Sequence, residues 1–181
     1  MGRVSDRIDD TVRKFIEAQA MYFVATAPLS GDGMVNVSPK GLDTFRVLDD
    51  KTVAYLDLTG SGIETVAHVR ENGRIVIMFC AFQGPPNILR LHGRARVVAP
   101  QDIEFPALKS LFPEFPSARA IIVVRVQRVG ESCGFGVPLM KYEGEREQLR
   151  AWAAKRGAAG LAEYRAQKNR VSLDGLPGLR A

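Results

Sequence analysis

The chain has 181 residues, 46% of them hydrophobic, enough for one compact domain with a sizeable core. Its formal charge of +5 is interleaved with acids, as in "KYEGEREQLRAWAAKR", which reads as a solvated helix face and not as a nucleic-acid stripe. Two histidines and two distant cysteines, Cys80 and Cys133, argue against a His-based metal site and for reduced thiols in packing positions, and no segment reads as a signal peptide or a membrane span.

In chain order, "SDRIDDTVRKFIEAQA" spaces Ile8, Val12, Phe15 and Ile16 on one side, predicting a helix over about residues 4–20 with Ser5 as its N-cap. "MYFVATA" reads as a strand and "PLSGDG" as a turn. In "MVNVSPK", Val35 and Val37 alternate with Asn36 and Ser38, the pattern of a half-buried strand whose pairing should stop or kink at Pro39. "TFRVLDD" and "KTVAYLDL" predict a hairpin across Asp49–Lys51. A Gly-rich turn leads to a short helix, "ETVAHVREN", closed by Gly73, and "RIVIMFCAF" suits a central strand. "ILRLHGRARVV" continues the sheet to Pro100, "QDIEFPALKSLFPEFP" is expected to be a helix, and "RAIIVVRVQRVGES" a long last strand. The period then turns helical over about residues 143–170, broken near Gly157 and Gly160. Strands joined by short turns predict a mainly β fold, an antiparallel barrel with helices at its ends and no second domain, in preference to a doubly wound sheet.

The segment "LDLTGSGIETVAHV" carries most of the chemistry. It lacks the Gly-Lys-Ser/Thr ending of a P-loop. One reading makes it a structural connection, with Gly60 and Gly62 at unusual backbone angles and Thr59 or Ser61 capping the helix. In the other, Ser61, Gly62, Thr65 and the free N–H groups of the helix start face one anion, while Glu64 points away. Tyr55, Leu56 and Asp57 just upstream offer exposed backbone to a planar ring. Lys40 in "SPKG", after Ser38 and the Pro39 kink, is placed to favour negative charge on a reduced flavin, although a surface lysine in a turn fits equally.

The succession "YFVATA … GMVNVSPKG … VAYLDLTGSGIETVAHVRENGRIVIMF … ILRLHGRARVV", from Met21 to Val98, resembles the pyridoxamine 5'-phosphate oxidase-like, FMN-binding split β-barrel family. The resemblance implies a Greek-key barrel acting as a cytoplasmic homodimer, with two flavin mononucleotides (FMN) at the subunit interface. Carried over by position, it implies cofactor contacts at Ser38, Lys40, Tyr55, Leu56, Asp57, Ser61, Gly62 and Thr65, with Arg90 reaching the site from either chain. It implies an FMN-dependent oxidoreductase, with a small-molecule substrate and, as an option, a nicotinamide electron donor. The family oxidases carry a Ser-Arg-Lys cluster at the phosphate, where this chain has "SGIET", so the phosphate would need N–H and hydroxyl donors plus a more distant cation such as Arg70 or Arg74. The C-terminal Trp and Arg-x-His elements also have no counterpart, which argues against oxidation of a vitamin B6 phosphate. The alternatives are a flavin- or haem-binding carrier or sensor without turnover, and a deazaflavin-dependent reductase. Phe135 in "SCGFGVP" is expected in the core, with a cover over the flavin as the other option. Trp152 is read as a packing anchor and His68 as a polar surface or interface residue.

Overall fold

A two-residue strand, β1 (Val4–Ser5), precedes helix α1 (Asp10–Glu17), and the chain then runs through β2 (Tyr22–Thr26), β3 (Asn36–Lys40), β4 (Phe45–Val47), β5 (Thr52–Leu58), α2 (Glu64–Asn72), β6 (Arg74–Cys80), β7 (Ile88–Val98), α3 (Phe105–Lys109), β8 (Ala118–Ser132) and α4 (Gln148–Lys168). This computed structural model describes residues 2–179. Among them, the strands form one antiparallel sheet in the order β3-β2-β6-β7-β8-β5-β4, with β1 added on β8. β6, β7 and β8 form a meander. β5 then pairs with β8 along its whole length, although β6 and β7 lie between the two in sequence.

Side chains close the curled sheet where hydrogen bonds do not. Tyr22 of β2 meets Phe45 of β4 with ring centroids 5.0 Å apart, and Phe45 meets Phe79 of β6 at 5.1 Å, both edge to face. The Tyr22 hydroxyl hydrogen-bonds Thr44 Oγ1 at 2.9 Å. Around these rings, Val24, Ile77, Leu89, Leu91, Ile122 and Val124 fill the barrel interior. A second core of Leu56, Val98, Phe112, Phe115 and Ile121 lies under α3. Alternate residues of β5 therefore enter different cores, Tyr55 the first and Leu56 the second, which is why "VAYLDL" reads as an almost unbroken apolar run.

Several expectations are corrected. Ser5 belongs to β1 and pairs with Val129, whereas α1 is capped by Asp9, whose carboxylate accepts from Val12 N at 2.9 Å. Pro39 does not interrupt β3, which pairs with β2 through Lys40; β3 is an edge strand, where a residue without an N–H costs no ladder bond. The alternation of β3 is reversed, with Val35 and Val37 exposed and Asn36, Ser38 and Lys40 half-buried toward the barrel. The helix expected after Pro100 shrinks to the five residues of α3. Phe135 is 82% exposed, and Cys133 is exposed rather than packed. α4 spans the predicted break, where Gly157 takes φ 63° and kinks it.

Candidate functional site: a polar strip along an edge strand

The single carboxylate in β5 explains the centre of the site. Asp57 is wholly buried, and two cations share it: Lys40 Nζ at 3.0 Å from Oδ1 and Arg119 Nε at 2.7 Å from Oδ2. Lys40 comes from β3, at one end of the sheet order, and Asp57 from β5, near the other. The ion pair thus fastens the split side of the barrel. Burial alone would push the Asp57 carboxyl up, but Arg119 and then Lys40 outweigh it and hold the group below the ordinary carboxylate value. Arg119 also donates to Asn169 Oδ1 at 2.9 Å, and Asn169 Nδ2 donates to Gly60 O at 2.9 Å, tying the end of α4 to the Gly-rich turn. Lys40 Nζ lies 5.4 Å from the centroid of the Tyr55 ring.

Farther along the same face of β3, Asn36 Nδ2 donates to Thr65 Oγ1 at 3.0 Å and to Thr26 Oγ1 at 3.2 Å, while Ser38 Oγ donates to Asn36 Oδ1 at 3.1 Å. Thr26 Oγ1 lies 3.0 Å from His68 Nδ1. His68 Nε2 is buried without a hydrogen-bond partner and stands 3.8 Å from Asp174 Oδ2. Asp174 in turn accepts from Met34 N at 3.1 Å. His68 is thus wholly buried, not a surface residue as its position in a short helix suggests.

The turn itself differs from both sequence readings. Gly60 and Gly62 do not take positive φ, and the N-cap of α2, Ile63, makes no side-chain cap hydrogen bond. Thr59 donates instead to Ser117 O at 2.8 Å and accepts from Arg165 Nε at 2.8 Å. Ser61 and Gly62 are exposed, whereas the Thr65 hydroxyl is buried on Asn36. The Glu64 carboxylate folds back over the turn: a methyl group added at Gly62 would stand 2.5 Å from Glu64 Oε2, and Leu173 N donates to Oε1 at 3.4 Å. Arg74 is committed to Pro28 O and Asn72, and Arg70 donates to Gly178 O, so neither supplies the cation expected at the turn.

The structure therefore gathers Ser38, Lys40, Asp57 and Thr65 along one strip and leaves Ser61 and Gly62 exposed on the turn before α2. Tyr55 and Leu56 are packed inside, and their backbone is paired with β8 on one side and with β4 and Thr44 on the other, so no exposed edge remains there for a ring. Arg90 lies at the far end of β7, opposite Met78 and Gly130, where it donates to Ser132 Oγ at 2.9 Å. The register sets it level with Met78, Phe23 and Pro39, three strands from β3. Its neighbours Leu89 and Leu91 fill the interior, so within one chain Arg90 lies on the opposite face from the strip. Arg119, Asn169, Asn36 and Thr26 are residues that sequence reasoning missed. A signal existed for the first: Asp57 is the lone charge of an apolar strand, and Arg119 is a charge directly before the apolar run Ala120–Val124, so each needs a counter-charge. Among the described residues, no group of three His, Cys, Asp or Glu side chains is placed to hold a metal.

A curled antiparallel sheet fastened across its open side, with helices over both ends, defines a split β-barrel protein. The chain belongs to the pyridoxamine 5'-phosphate oxidase family, whose model matches residues 8–133. It is 38% identical over 199 aligned residues to the pyridoxamine 5'-phosphate oxidase family protein ustO of Aspergillus flavus, covering 97% of this chain and 77% of that one. Among solved structures, HupZ of Group A Streptococcus is 25% identical with a TM-score of 0.55, over 69% of this chain and 99% of that one. A protein assigned to the pyridoxamine 5'-phosphate oxidases, from Lactobacillus delbrueckii, shares the fold at 20% identity and TM-score 0.52, over 69% of this chain and 94% of that one.

Proposed function

We propose that this protein binds a flavin, FMN in particular, between two copies of its barrel and acts as an oxidoreductase on a small-molecule substrate. The inverted edge strand carries the reading. A solvent-facing edge strand ordinarily turns its apolar residues inward, but β3 turns Asn36, Ser38 and Lys40 inward and leaves Val35 and Val37, with neighbouring Met34, exposed at more than 60% each. A second chain covering the apolar side and a flat polar ligand against the inner strip account for both faces at once. Family membership supports the same conclusion.

The strip suits the polar edge of a flavin ring. Asn36, Ser38 and Thr65 present amide and hydroxyl groups, and Lys40 lies beside them, its charge balanced by Asp57. When bound, the flavin supplies a two-electron hydride carrier. The chain's own part is to orient that carrier, exclude water from it and set the charge beside it. Holding Lys40 on Asp57 reserves a cation whose full effect is felt once negative charge develops nearby. The phosphate end fits less readily. The exposed N–H groups of Ser61 and Gly62 are available, but Glu64 must swing away before an anion can settle there.

Mass and visible spectrum of the copurifying ligand test the proposal directly: FMN is expected, and a deazaflavin or haem would overturn it. Reduction of the bound flavin by a nicotinamide cofactor supports turnover, while a flavin that no nicotinamide reduces favours a carrier. In the variant Ser61→Ala, at the exposed turn, FMN affinity should fall about tenfold with riboflavin affinity unchanged, the loss of a charge-assisted hydrogen bond to phosphate. Equal losses for both ligands would remove the phosphate from the turn.

A further inference from the structure

A cavity of about 260 Å³ opens between the last turn of α2, the loop after β7, the start of β8 and the end of α4, and four arginines line it: Arg70, Arg119, Arg165 and Arg170. Among the described residues, no carboxylate lines it. Asp57 lies behind Arg119 and is already shared with Lys40. Arg165 is half-buried, yet among the described residues its guanidinium donates only to uncharged oxygens, Thr59 Oγ1 at 2.8 Å and Ala118 O at 3.0 Å. Burial and the neighbouring charge of Arg119 both lower its pKa. Asp57 offsets Arg119 and Arg70 is already bonded, but Arg165 and Arg170 have no carboxylate partner among the described residues, and gathering their charge here costs free energy unless something negative sits beside them.

We propose that this cavity is a binding site for the phosphate group of a small molecule, separate from the flavin strip. The planar forks of Arg119, Arg165 and Arg170 suit a phosphate, which can accept from several guanidiniums at once, better than a single carboxylate. Pro100, Ala162 and Leu179 form an apolar wall for a short carbon skeleton attached to it. None of its residues lies on β3, but Arg119 and Arg165 bond Gly60 and Thr59 beside the Gly-rich turn, so the test must separate this cavity from the flavin's phosphate end.

The test is calorimetric titration of the full chain with inorganic phosphate, ribose 5-phosphate and malonate at constant ionic strength. Phosphate should bind, and malonate should bind more weakly. Tighter binding of ribose 5-phosphate assigns the site to a phosphate monoester, and equal binding assigns it to free phosphate. Arg170→Glu, at an exposed position, and Arg165→Gln should each weaken phosphate binding by about tenfold. Lys155→Glu, an exposed charge reversal on the same helix but outside the cavity, should change it less than twofold. Absence of phosphate binding at millimolar concentration overturns the proposal, as does equal loss in the Lys155 and Arg170 variants. Displacement of phosphate by FMN would also overturn it, by making the cavity the tail end of the flavin site.

Discussion

Asp57 is the residue on which the site's electrostatics turn. Its carboxylate stands between Lys40, toward the strip on β3, and Arg119, toward the arginine-lined cavity. Asp57→Asn would leave Arg119 buried without its counter-charge, so stability should fall by about 3–5 kcal/mol, read as a lower urea midpoint at unchanged slope. Lys40→Ala should cost less, because Arg119 still neutralises the carboxylate and Lys40 is partly exposed. A bound flavin, by contrast, should respond to Lys40→Ala through weaker binding or a lower reduction potential. The pH dependence has a definite sign. Because the folded Asp57 is held below the ordinary carboxylate value, its stabilisation is complete above about pH 4, the unfolded value, and is lost as pH falls through the folded one. Urea midpoints of the wild type should therefore drop on acidification below that point. The Asp57→Asn variant should lack this component and show a shallower dependence.

At the level of strands and helices, local pattern and position in the sheet decide different things. The β4–β5 hairpin, β6 and β7 follow from periodicity and turn residues, because each is specified by its own neighbours along the chain. β7 also carries a close approach at Gly93, beside a register shift at His92. A methyl group there would come within 2.3 Å of Arg125 O and 2.9 Å of Val124 Cγ1, both on β8. Gly93→Ala should thus destabilise by about 1–3 kcal/mol or more in chemical denaturation, whereas Gly136→Ala, with open space around it, should be near neutral. What periodicity could not show is which face of β3 turns inward. An alternating strand reads the same in either orientation, and only its place at the sheet edge, beside Thr65 and Asp57, selects the polar face. Likewise β1 is two residues long, too short for any pattern. Its existence depends on pairing with Gly130 and Val129, far along the chain.

Over the whole molecule, distance in sequence hid the remaining parts of the site. Arg119 is 62 residues from Asp57, and Asn169 is 109 from Gly60, so no local motif could announce either contact. The helical stretch expected over about residues 143–170 supplies Arg165 and Asn169 and leads into the segment whose Asp174 faces His68. Exposed apolar surface is the other property visible only in the assembled chain. Val35 just before β3, Val37 on it, and Phe135 and Leu139 after β8 are all exposed at more than 60%. Such groups in an edge strand and an adjoining arm invite pairing with another chain. If the flavin is held between two copies, charge placed on the β3 edge must break both assembly and binding. The double variant Val35→Lys, Val37→Lys should sediment as a monomer and lose FMN affinity by at least about tenfold, while keeping the far-UV circular dichroism of the wild type. Neither side chain contributes to the buried cores, so loss of folding is not the expected cause. A variant that remains dimeric and yellow would show that β3 faces solvent in the working protein, and the inverted strand would then need another explanation.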